Sequence, residues 1–95
     1  MKVYISGQIS NLPIEEAKEN FRKAEDILRK KGFEPVNPFN SGLPVTATWH
    51  EHMRADIKMM LECDAICLLP NWERSQGARL EEHIAMRLSM ACMIL

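Results

Sequence analysis

The apolar and polar positions of the chain change period along its length, and each change marks a predicted element. Lys2 to Ser6 (KVYIS) is rich in β-branched and aromatic residues and predicts a short strand. Gly7 to Asn11 is a polar turn, and Pro13 suits the first turn of a helix. Ala17, Phe21, Ala24 and Leu28 recur at i, i+4, i+7 and i+11, which is one helical stripe. Cations and a glycine at Lys30-Lys31-Gly32 stop that helix. Phe33 to Val36 predicts a second strand, and Asn37 to Thr48, with Pro38, Gly42 and Pro44, predicts a loop. Thr48 to Leu61 is helical again. Ala65 to Leu69 (AICLL) is a continuous apolar run, as expected of a buried parallel strand. Pro70 to Gln76 reads as a polar loop, Gly77 to Met90 as a third helix, and Cys92 to Leu95 as the start of a last strand.

Strands alternating with helices predict a single α/β domain over residues 1–95. The expected architecture is a Rossmann-like or flavodoxin-like three-layer sandwich, with about four parallel strands in the order 2-1-3-4. In such sheets ligands bind at the carboxyl ends of the strands. Ser6–Asn11, Asn37–Asn40 and Pro70–Gly77 meet at that edge.

Charge and composition narrow the function. Lys and Arg number 12 against 13 Asp and Glu, so no basic excess favours nucleic acid. No apolar run approaches the ~18 residues of a membrane span. The opening MKVYISG reads as a strand and turn, not a leader peptide. Cys63, Cys67 and Cys92 form no Cys-x-x-Cys, which argues against a disulfide framework and fits a reducing cytoplasm. His50, His52 and His83 lack metal-ligand spacing, so no metal is expected.

Two acids sit on the wrong side of their helices. On the third predicted helix, Ala78, Leu80, Ile84, Ala85 and Leu88 form an apolar face, and Glu81 falls within that arc. On the second, Trp49, Met53, Ile57, Met60 and Cys63 form the face, with Asp56 inside it. A carboxylate on a core-facing stripe is costly unless it is paired or used. One alternative is burial against Arg54, Arg74 or Arg79 as structural ion pairs. The other is chemistry, since two facing carboxylates are the usual means of cleaving a glycosidic bond. Ser75 and Ser10 stand where helix caps and anion contacts form, with Gly7 and Gly77 beside them.

Asp56, Asp64 and the stretch Ser75-Gln76-Gly77-Ala78-Arg79-Leu80-Glu81, with Ala85, resemble the nucleoside 2-deoxyribosyltransferase superfamily. The ordered set spans nearly the whole chain: Asp56 precedes Asp64 by eight residues, and Gly77 precedes Glu81 by four. The resemblance implies Glu81 as nucleophile and Asp56 as the group that assists departure of the base. Ser75, six residues before Glu81, and the loop Gly7-Gln8-Ile9-Ser10 resemble the 2'-deoxynucleoside 5'-monophosphate N-glycosidase branch. They imply contacts to phosphate and sugar. Within the superfamily the chain most resembles a compact phage and bacterial group without an assigned activity. Tyr4 matches an aromatic near the site of that superfamily.

The resemblance thus implies cleavage or transfer at the N-glycosidic bond of a (deoxy)nucleoside 5'-monophosphate, with no cofactor. His83 stands where the superfamily has a glycine, and longer members use a partner's C-terminal segment at the base. These departures sustain an alternative, a non-catalytic nucleotide-binding module of the same fold. Trp72, in a polar loop at the ligand edge, is a candidate to stack on a base, whereas Trp49 is expected to pack. Met86, Met90 and Met93 near the chain end imply apolar surface covered in a homodimer or higher oligomer.

Overall fold

A computed structural model describes residues 1–95. Four strands, β1 (Lys2–Ser6), β2 (Glu34–Val36), β3 (Ala65–Leu68) and β4 (Ala91–Ile94), form one sheet in the order β2-β1-β3-β4. Every neighbouring pair is parallel: Tyr4 lies opposite Val36 on one side and Ile66 on the other, and Ile66 lies opposite Cys92. The expected fold class and strand order are those of the molecule. Helices α1 (Ile14–Lys30), α2 (Trp49–Leu61) and α3 (Gln76–Arg87) form the crossovers.

Strand alternation divides the interior into two cores. Val3, Ile5, Ala65, Cys67 and Leu69 meet Phe21, Ala24 and Leu28 of α1 on one face. Tyr4, Ile66 and Leu68 meet Met60 of α2 and Ala85 of α3 on the other. The side chains of β1 and β3 are fully buried, apart from Lys2 at the start of β1.

The helix ends follow local chemistry. Gly32 takes φ +85° after α1, with Phe33 N–H donating to the Leu28 carbonyl, a turn that glycine makes without strain. Thr48 and Glu51 form a reciprocal capping box at the start of α2. Ser75 Oγ accepts from Ala78 N–H at 3.0 Å and starts α3 one residue earlier than the apolar pattern predicts. α3 also stops at Arg87, because Ser89 turns left-handed and Met90 folds back, its N–H donating to the Ala85 carbonyl. The broad apolar face expected of α3 narrows to Ala78, Glu81 and Ala85. Leu80 lies about 140° round the helix from Ala85, and Leu88 is the cap, so both are exposed. The 37–48 loop contains a short 3₁₀ turn, Pro38–Asn40, capped by Asn37 and held by an edge-to-face contact of Phe39 with Phe21 at 5.2 Å.

Gly7 ends β1 against Leu69. A Cβ at Gly7 would stand 2.5 Å from the Leu69 side chain, so this glycine is required by packing within the protein. Gly7→Ala should lower stability by about 1–3 kcal/mol in urea denaturation, the range of core overpacking, and Leu69→Ala should cost less in that background than in the parent. An unchanged midpoint for Gly7→Ala would contradict this packing.

Candidate active site

In a parallel sheet with right-handed crossovers each helix begins at the carboxyl edge of the strands. The inward stripe of each helix therefore runs from the sheet-edge cleft down onto the core. On α2 the stripe is Trp49, Met53, Asp56, Met60, of which Met60 reaches the core. On α3 it is Ala78, Glu81, Ala85, of which Ala85 does. On α1, Ile14 and Lys18 precede the core residues Ala24 and Leu28. The upper parts of all three stripes enclose a cavity of about 730 Å³, which Asp56 and Glu81 both line.

Glu81 is 4% exposed, and strand β1 holds it. Tyr4 Oη donates to Glu81 Oε2 at 2.7 Å, and Ser6 Oγ donates to Oε1 at 2.7 Å. Alternation points Tyr4 and Ser6 to the same face of the sheet, so one strand supplies both donors. Burial pushes the Glu81 carboxyl up to about 7, against the opposing pull of the two hydroxyls, and the nearby Asp56 adds to the rise. Burial, then the charges of Glu81 and Asp56, raises the Tyr4 phenol further, so it remains a donor.

Asp56 is 7% exposed, and its Oδ1 has no hydrogen-bond partner. Burial raises its carboxyl to about 6, moderated by His52 on the preceding turn. No arginine or lysine stands within ion-pair distance of either acid: all four ion pairs of the chain lie along α1. The alternative of structural ion pairs with Arg54, Arg74 or Arg79 is absent. Two buried acids without counter-charge, one of them with a free oxygen, form a site equipped for a ligand.

Tyr4, Gly7, Ile9, Ser10, Ser75 and Gly77 line this cavity together with the two acids. Gln8 and Trp72 do not. The Gln8 backbone N–H donates to Asn71 Oδ1 and its side chain to the Ser10 carbonyl, so Gln8 ties the first loop to the loop after β3. Trp72 packs against the α2–α3 side of the core. Asp64 accepts from Lys2 N–H at the far end of the strands. Sequence reasoning missed Ser6, although its alternation with Tyr4 was available as a signal. It names Arg74 and Arg79 only as ion-pair partners of the acids, whereas both line the cavity without an ion-pair partner. No group of three or more His, Cys, Asp or Glu side chains gathers as a metal site, and no helix is long and apolar enough to cross a membrane.

With this geometry established, comparisons with known proteins bear on it. A family described as "Domain of unknown function (DUF4406)" matches residues 1–94. No curated protein matches the chain. Among solved structures, a 2-deoxyribosyltransferase from Bacillus psychrosaccharolyticus superposes with a TM-score of 0.76 at 20% identity, over 99% of this chain and 71% of that one. A 2-deoxyribosyltransferase from Leishmania mexicana gives 0.73 at 18% identity, over 99% and 63%. A CMP N-glycosidase from Clostridium botulinum gives 0.69 at 18% identity, over 99% and 70%. The fold is shared throughout, and the chain spans about two thirds of the length of these proteins.

The buried acids set a pH dependence of stability. Both carboxyls hold their protons more tightly in the folded than in the unfolded chain, so between about pH 4 and pH 7 the folded state binds more protons. Their contribution therefore weakens as pH rises through that window. The thermal midpoint should fall between pH 5.5 and pH 8, and Asp56→Asn should flatten the fall. A midpoint that rises with pH over this range, or an Asp56→Asn profile parallel to the parent, would contradict the assignment.

Proposed function

The chain belongs to the DUF4406 family, and we propose that it cleaves the N-glycosidic bond of a (deoxy)nucleoside 5'-monophosphate. The observation that carries the reading is the pair Glu81 and Asp56, buried without counter-charge on adjacent helices and opening into one cavity. The fold shared with glycosidic-bond enzymes supports it.

In this reading a Glu81 carboxylate oxygen attacks the anomeric carbon as the bond to the base breaks, forming a glycosyl ester. Asp56 gives its proton to the departing base. Water then attacks the anomeric carbon, Asp56 takes back a proton, and Glu81 leaves as carboxylate. The products are free base and sugar 5-phosphate; a second base in place of water would make the reaction a transfer. Tyr4 and Ser6 orient the nucleophile through their two hydrogen bonds. Arg74, Arg79, Ser75 and the first turn of α3 receive the phosphate, together with Ser10 and Gly7 of the first loop. Attack needs Glu81 ionised and Asp56 protonated, whereas burial holds the proton on Glu81 to the higher pH. The working form is thus one arrangement of a pair that shares a proton near pH 6 to 7, and the rate follows a bell centred there.

Chromatographic detection of free base from a panel of nucleosides and their 5'-monophosphates at pH 6.5 tests the assignment. Base should be released from monophosphates in preference to nucleosides, and Glu81→Gln should slow release by roughly a thousand-fold or more. Release undiminished in Glu81→Gln would overturn it. Binding of monophosphates without release would favour a nucleotide-binding module.

We also propose a homo-oligomer. Of the three methionines expected to leave apolar surface, Met90 and Met93 pack against the cores, but Met86, Leu88 and Ile94 are more than half exposed around the edge strand β4, which has neither charge nor proline to blunt it. Light scattering at micromolar concentration should give at least a dimer, and a monomer would count against this surface as an interface.

A further inference from the structure

The two tryptophans occupy the reverse of their expected places. Trp72 packs against the core, whereas Trp49 belongs to neither core cluster and lies 39% exposed on the cavity wall. The cause is the position of Trp49 on its stripe. It stands one turn before Met53 and three turns before Met60, and only Met60 lies over the sheet. The first turn of α2 projects past the strand ends, so a stripe position that would be core further along the helix is cavity wall here.

Trp49 is not alone. Leu43, Val45 and Ala47, from the loop that leads into α2, also line the cavity, and Val45 is 78% exposed. Ile14 of α1 adds to this wall. The lining supplied by the start of α3 and the turn before it differs in kind: Arg74, Ser75, Gln76 and Arg79 are polar or cationic. The segment 43–49 thus lends the cavity apolar and aromatic residues and the segment 74–79 cationic and polar ones, with Glu81 and Asp56 also in its lining. Asp56 follows Trp49 by seven residues on one helical stripe, about 10 Å along the axis, and offers an unpartnered buried oxygen. A ligand that satisfies all of these features carries a flat ring with polar edges at one end and an anion at the other.

We propose that Trp49, with the 43–47 loop segment, is the platform on which the base of the nucleotide stacks, and that the polar edge of that base meets Asp56. The inference rests on the nucleotide reading of the site and adds its base-recognition element. Aromatic stacking accepts any base, because every base offers a π-face. Selection among bases then falls to the single buried oxygen of Asp56 and to the shape of the 43–47 loop.

The two tryptophans make the test direct. Trp72→Phe in a Glu81→Gln background leaves Trp49 as the sole tryptophan and prevents turnover. Its emission is titrated with 2'-deoxynucleoside 5'-monophosphates and, separately, with 2-deoxyribose 5-phosphate, which has no base. Affinities for both are measured by calorimetry in Glu81→Gln alone and in Glu81→Gln with Trp49→Ala or Trp49→Phe. Nucleotide should change Trp49 emission saturably and sugar phosphate should not. Trp49→Ala should weaken nucleotide binding about tenfold, the scale of one lost base–aromatic stack. Trp49→Phe should restore most of it, and sugar phosphate affinity should be the same in all three. Nucleotide binding within twofold of the parent in Trp49→Ala overturns the platform alone. Sugar phosphate binding without any nucleotide preference does the same. Binding of neither compound to folded protein overturns the nucleotide reading as well. Emission that responds to protein concentration and not to nucleotide assigns the wall to a second copy of the chain, which also overturns the proposal.

Discussion

Glu81 is a carboxylate buried with no cation to neutralise it, and the arrangement of the site follows from how the fold accommodates that. An unpaired charge in the interior is expensive, and the protein meets the cost with two hydroxyls, one on each oxygen. Both come from β1, the strand flanked by β2 and β3, and both lie on one of its faces because side chains alternate along a strand. The hydroxyls fix the orientation of the carboxylate without quenching its charge, as an arginine partner would. The residual penalty appears as a proton affinity raised into the neutral range. Asp56, buried nearby with an oxygen unpaired, adds to the rise at Glu81. Stability is thereby given up at a place where only a ligand would recover it, a pattern associated with functional sites.

The helices carry this local arrangement into a pocket. Each inward stripe does two jobs in succession, covering the cleft in its first turns and the sheet in its later ones. A residue's role is then set by how far along the helix it stands, not only by which face it occupies. The same rule accounts for Glu81 against Ala85 on α3 and for Trp49 against Met60 on α2. The loops that close the pocket are held from behind: Gln8 is tied to Asn71, Phe39 is packed on Phe21, and Gly7 is pressed against Leu69. The site is therefore built on anchored loops and helix ends around a rigid sheet.

The burial of both acids was legible in the sequence because periodicity determines it, and the strand order followed from the alternation of strands and helices and the rules of parallel α/β sheets. A run such as AICLL has few uses other than a central strand, and a glutamate beside Ala78 and Ala85 on a helical wheel has to face inward. Periodicity is silent about translation along the helix axis, which is why Trp49 lies elsewhere than the wheel predicts; Trp72 differs because the loop after β3 folds it against the core. A wheel shows Trp49 on the buried face but not that the sheet ends beneath it. Leu88 was misplaced for a related reason, since a left-handed Ser89 ends α3 before the apolar pattern does. The Ser6 contact to Glu81 joins residues 75 apart in sequence and becomes visible only once α3 is laid across β1. The close approach of Leu69 to Gly7, which lines the cavity, has no signal in the sequence, because it joins residues that meet only when β1 and β3 are paired.

The central claim is that Glu81 bonds covalently to the sugar. It is tested most directly by quenching the protein with acid during turnover of a 2'-deoxynucleoside 5'-monophosphate and mapping the peptides by mass spectrometry. The account predicts a deoxyribose 5-phosphate ester on the peptide that contains Glu81, lost in Glu81→Gln. Base release with no ester on that peptide, or an ester on another residue, would contradict it.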